Sequence, residues 1–135
     1  MNPSPNKLQS LCQGKSLEEI WRSPHVKAAV NLLRQHYQAK VNTWASRDHK
    51  RHIPVYISLK PKISLHGLYH ERHRGGGSIT LFPIKALPYQ PVQEVLSDAR
   101  LEEVLLHEYA HHLTGTAHGR NFQDNLRRAT RAAKM

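Results

Sequence analysis

The chain has 135 residues, a net charge of +10 and a single cysteine, which describes one basic domain large enough to bury a core without disulfide or metal support. Lone Cys12 excludes an internal disulfide, residues 1–15 hold no apolar run resembling a signal peptide, and no segment approaches the eighteen or so apolar residues of a membrane span, so a reducing, cytoplasmic setting is expected. The 20 lysines and arginines against 10 acidic residues raise the expectation of a polyanionic partner.

Residues 1–15, with two prolines and little hydrophobicity, are expected as a flexible tail, and residues 16–135 as one domain. Ser16-Leu17-Glu18-Glu19 is a capping-box pattern opening a short helix. Ser23-Pro24 then starts the strongest helix, with serine as cap and proline in the first turn. Val26, Val30, Leu33, Tyr37, Val41 and Trp44 recur at helical spacing and form one core-facing stripe. Arg47–His52 is a basic linker. Ile53, Val55, Ile57 and Leu59 alternate as a half-buried strand ending at Pro61, residues 63–70 read as a second strand, and Ser78–Phe82 reads as a third. The glycine-rich turn between the last two predicts a hairpin; no lysine-serine/threonine follows GGG at 75–77, so it is not a phosphate loop. Pro83, Pro88 and Pro91 break the next stretch into a loop. A final helix, residues 121–134, turns Phe122, Leu126 and Ala129 inward and Arg127, Arg128, Arg131 and Lys134 outward.

The chemistry gathers between Leu101 and Phe122. His107-Glu108-x-x-His111 places two imidazoles four residues apart, on one face of a helix and about 5–6 Å apart at Cβ, where both can reach one zinc ion. Glu108 lies about 100° further round, placed to hold a water at the metal and take its proton without ligating the ion. The helix has its own signals: Asp98 as cap, Glu102 and Glu103 near the positive end of the dipole, and Gly115 as a left-handed stop. His118 follows that stop. Three protein ligands plus water is the usual catalytic arrangement, so His118 is the expected third ligand, with His112 and Asp124 as rivals. His112 points about 100° away from His111, which suits a supporting or surface place, and Asp124 suits a hydrogen bond to a ligand's free N–H.

The segment HEYAHHLTGTAHGRNF resembles the active-site segment of the SprT-like metallopeptidases and related small zincins, which read HExxH, a short loop, then HGxxF; here the second part is His118-Gly119-x-x-Phe122. The close match covers residues 107–122, with element order agreeing back to about residue 24. The metzincin pattern fits less well, because its glycine and third histidine fall at other offsets. The resemblance implies one zinc ion per chain held by His107, His111 and His118, with Glu108 as catalytic base. It implies an α+β minimal zincin fold: an N-terminal helix packed on a small three-stranded, mostly antiparallel sheet, then the HExxH helix and a C-terminal helix. It implies hydrolysis of peptide bonds in proteins or peptides, with the strand Ser78–Phe82 as the edge that binds substrate by strand addition, although a simple hairpin strand is an equal reading.

The sequence singles out no residue for stabilising an oxyanion, and Tyr69 is no more than a guess. His49, His52, His66, His70 and His73, set among basic residues, read as a solvated surface and not a second metal site. The rival function is a basic DNA- or RNA-binding protein with a structural or vestigial zinc site; an intact Glu108 counts against it, because a structural site has no need of a base.

Overall fold

Chain order in the computed structural model is α1 (Leu8–Cys12), α2 (Leu17–Arg22), α3 (Pro24–Arg47), β1 (Val55–Ile57), β2 (Gly67–Glu71), β3 (Gly77–Leu81), β4 (Ile84–Lys85), β5 (Glu94–Val95), α4 (Asp98–Thr114) and α5 (Arg120–Ala133). The structure describes residues 7–71, 76–86, 94–114 and 120–133. It is an α+β arrangement of helices around a small mixed sheet.

The helix starts follow their signals. Ser16 and Glu19 form the reciprocal capping box of α2, and the Ser23 side chain accepts from Val26 N–H with Pro24 in the first turn of α3. The α3 stripe is buried at Val26, Leu33, Tyr37, Val41 and Trp44, with Val30 at its border. The helix ends on a left-handed residue, His49 at φ 56°, where Lys50 N–H reaches Ala45 O at 2.8 Å and His49 N–H reaches Ser46 O at 3.3 Å. In α4 the cap is Ser97 and not Asp98: Ser97 Oγ accepts from Arg100 N–H at 3.2 Å, and Asp98 is the first helical residue.

The three-stranded sheet has the order β1-β3-β2. β2 pairs antiparallel with β3 (Gly67 opposite Leu81, Tyr69 opposite Ile79), as the hairpin reading requires, but β1 pairs parallel with β3 (Val55 opposite Ile79). The sheet is therefore mixed and not mostly antiparallel. The connection from β1 passes β3 before β2 turns back, so the strand adjacent in sequence to β1 sits at the far edge. β3 is the central strand, paired on both sides, and its buried Ile79 and Leu81 meet Val55 and the apolar faces of the helices. The edge facing α4 is β2, not Ser78–Phe82.

Three further expectations change. Residues 8–12, expected within the tail, form α1; Leu8 and Cys12 are buried, and Gln9 donates to Val95 O at 3.1 Å. Ile63 and Leu65 lie outside β2 and are exposed. The proline-rich stretch carries a second two-stranded sheet, Ile84 opposite Val95, which alternation could not flag in two-residue strands. α5 packs on α4, with Leu126 against the core and Arg127, Arg128 and Arg131 exposed. The inward placement expected for Phe122 and Ala129 lies outside the described side chains, as does Lys134. Among the described residues, no helix is long and apolar enough to cross a membrane.

Candidate metal centre

Helix α4 is held by Leu101, Leu105 and Tyr109, all fully buried, and this fixes which way its polar residues turn. His107 and His111 sit on consecutive turns with ring centroids 5.1 Å apart and planes at 74°. His107 is half-buried; His111 and Glu108 are buried, at 6% and 7% exposure. The pair and the carboxylate are thus together on the side of the helix that meets β2.

Gly67 explains how β2 comes so near. A Cβ there would lie 2.4 Å from Val104 Cγ1, 2.9 Å from Glu108 Cγ and 3.0 Å from Glu108 Oε2. Only a residue without a side chain allows the edge strand to rest on α4 at the Glu108 carboxyl. A cleft of about 450 Å³ opens at this junction, with His66, Gly67, Val104, His107, Glu108 and Leu126 in its walls.

A second set of contacts fixes the other flank of the histidine pair. The Tyr69 ring lies nearly parallel to His111, at 10° and 6.4 Å between centroids, and its hydroxyl is 3.2 Å from His112 Nδ1. His112 Nε2 is 3.1 Å from Arg51 O. A backbone carbonyl can only accept, so Nε2 carries the proton and Nδ1 accepts from Tyr69 O–H. Burial pushes the His112 pKa down, the Arg51 hydrogen bond works against that, and the Lys50 charge adds to it; burial, then the Glu71 charge, pushes Tyr69 up. Both groups are neutral at pH 7. The Tyr69 proton is therefore committed to His112, which counts against Tyr69 as an oxyanion donor. With both ring nitrogens engaged, His112 also ceases to rival His118 as a ligand. Gly77 makes room for this tyrosine, since a Cβ there would lie 2.7 Å from Tyr69 Oη.

The opposite face of α4 is anchored to the end of α3. Tyr109 Oη donates to Asp48 Oδ2 at 2.6 Å, its ring lies 5.4 Å from Trp44, and Arg47 donates to the same carboxylate at 3.1 Å. Burial raises the Asp48 pKa, but hydrogen bonds from Arg47 and Tyr109 and the charges of Arg47 and Arg128 outweigh it and hold the carboxyl below its usual range.

The third expected ligand, His118, lies outside the described residues, as do Gly115 and Gly119. Among the described residues, no three of His, Cys, Asp and Glu are close enough to hold a metal ion. Asp124 is exposed on α5. Of the five scattered histidines, His49, His52 and His70 are exposed as expected and His73 is outside the described residues. His66 departs from the expectation. It is 9% exposed, and among the described residues nothing hydrogen-bonds its Nδ1. Sequence reasoning missed both His66 and Gly67, although a lone glycine inside an apolar-alternating run is itself a sign of close backbone approach. No family model, curated protein or solved structure matches this chain.

Proposed function

We propose that the protein is a zinc-dependent metallopeptidase of minimal-zincin architecture, similar to the SprT-like group, acting on proteins or peptides. The observation that carries this reading is the pairing of His107 and His111, centroids 5.1 Å apart, with a buried Glu108 at an edge strand. Two imidazoles one turn apart suit a borderline divalent ion such as zinc, and the donor set fits. His107 and His111 would hold it, with His118 as the third ligand. A bound zinc ion supplies Lewis-acid polarisation of the scissile carbonyl and lowers the pKa of the attacking water. Glu108 accepts that water's proton and delivers it to the leaving amine. Among the described residues β2 is an edge strand, and it would take an extended peptide by main-chain hydrogen bonds beside Glu108.

Purified protein should contain one zinc per chain and cleave unfolded β-casein. Glu108→Gln should keep the zinc and lose cleavage by about 10²–10⁴-fold, whereas His118→Ala should lose most of the zinc. Equal cleavage by wild type and Glu108→Gln would refute the mechanism, and full zinc retention by His118→Ala would move the third ligand elsewhere.

A second reading, sequence-indifferent binding of DNA or RNA, draws on charge placement. Arg127, Arg128 and Arg131 are exposed on α5, Lys50 and Arg51 are exposed after α3, and the Arg128 charge acts on Asp48 at the end of α3. The two readings are compatible, as in a peptidase held on nucleic acid.

A further inference from the structure

The metallopeptidase reading names no side-chain donor for the reacting oxygen. Hydrolysis puts negative charge on the substrate's carbonyl oxygen, and a fixed N–H or O–H donor beside it is worth much more inside a cleft than in water. Tyr69 cannot serve without breaking its bond to His112. Arg100, at the cleft wall, is engaged with Glu103 at 3.1 Å.

His66 has the required properties. It lines the same cleft as His107 and Glu108 and is one residue from Gly67, the point where the strand meets the Glu108 carboxyl. Its main chain is fixed, since His66 O accepts from Phe82 N–H at 2.9 Å. The residue is about nine-tenths buried, and its Nδ1 is sealed from solvent with no hydrogen-bond partner among the described residues. Burying a polar group without a partner is costly, so a histidine kept this way has no stabilising function in the empty cleft. A sealed nitrogen bears its isolation better as a bare lone pair than as an N–H, which puts the proton on Nε2.

We infer that His66 is a further catalytic residue, whose Nε2–H donates to the carbonyl oxygen of the peptide bond being cleaved, in a bond that strengthens as charge develops there. The inference rests on the metallopeptidase reading and adds to it the group that binds the reacting oxygen. The ring acts as a donor throughout.

The experiment has two arms. In the first, zinc-loaded wild type, His66→Leu and His66→Gln are compared on unfolded β-casein. Leucine removes the donor at similar volume, while glutamine places an amide N–H near the Nε2 position. His66→Leu should lower kcat by about 10²–10³-fold, with KM and zinc content close to wild type and Tm at or above it, and His66→Gln should recover at least tenfold of that loss. A merely structural His66 would instead lower Tm on replacement and leave kcat alone. A kcat for His66→Leu within threefold of wild type, or no recovery in His66→Gln, overturns the proposal.

The second arm needs no turnover. Ring ¹⁵N spectra of zinc-loaded Glu108→Gln should show His66 as the Nε2–H tautomer, with the Nε2 signal moving when β-casein is added. An Nδ1–H tautomer, or an unmoved signal, overturns it. Wild type that binds zinc and cleaves nothing would refute the peptidase reading, and the spectra would then still decide whether His66 meets polypeptide.

Discussion

Gly67→Ala is the most informative single perturbation of this fold, because it adds one methyl group at the place where the edge strand and the helix touch. The added Cβ would stand 2.4 Å from Val104 Cγ1 and 2.9 Å from Glu108 Cγ, against an optimum near ~3.5–4.0 Å for carbon pairs. Val104 is buried and branched at Cβ, so its χ1 is nearly fixed in a helix and it cannot swing aside. The strand must therefore retreat by about 1 Å, the difference between the imposed and the tolerable contact. Overpacking of this kind costs about 1–3 kcal/mol, which at roughly 4 °C per kcal/mol for a chain of this size lowers Tm by about 4–12 °C. The clash also presses on Glu108, and on the proposed peptidase reading a misplacement of about 1 Å in a reacting group can cost about 10²-fold in rate. Urea denaturation and β-casein cleavage measure the two effects. Adding Val104→Ala removes the clashing methyl groups. Although Val104→Ala alone costs about 1–3 kcal/mol, the double variant should lose less than the sum by roughly 1 kcal/mol or more. An unchanged denaturation midpoint for Gly67→Ala, or strict additivity in the double variant, would show that the strand does not rest on α4 as described.

Other consequences can be checked as directly. Tyr109→Phe removes a hydrogen bond to a carboxylate and should cost about 1.5–3 kcal/mol in urea denaturation, with zinc content retained, since the tyrosine faces away from the histidine pair. The Asp48 pKa is lower folded than unfolded, so its stabilising effect is complete above the unfolded value near ~3.9 and is lost as pH falls through the folded value. The Tm gap between wild type and Asp48→Asn should thus be present at neutral pH and shrink below about pH 4; a gap that persists unchanged into stronger acid contradicts the assignment. Replacing Arg127, Arg128 and Arg131 together with alanine should flatten the salt dependence of duplex DNA binding by about 0.9 in log–log slope per lost phosphate contact, and an unaltered slope would place binding on another surface.

The sequence was most informative where side chains act locally. The capping box at Ser16, the Ser23-Pro24 helix start and the α3 stripe need only neighbours within a turn or two, and the structure keeps them. The His107–Glu108–His111 grouping was legible for the same reason, because helix geometry alone brings it together. Long-range placement was not legible. Nothing in Val55–Ile57 says that it pairs parallel with β3, or that β2 and not β3 forms the edge beside α4. Two-residue strands such as Ile84–Lys85 are too short for alternation to register. Exposed Ile63 and Leu65 extended the apparent strand because hydrophobicity without burial mimics the pattern. His66 was hidden by its basic surroundings, since composition averages over neighbours while burial is decided one side chain at a time.

The bond from Tyr109 to Asp48 also bears on how freely this site can change over evolutionary time. In a pattern written HExxH the two middle positions appear open to any residue. Here they are Tyr109 and Ala110, both fully buried, one tied to the end of α3 and the other pressed into the core. A single-residue insertion or deletion in α4 ahead of the motif would turn His107 and His111 by about 100° and would pull Tyr109 off Asp48 in the same step. Displacement of the histidine pair and disruption of the core packing are thereby joined in one step.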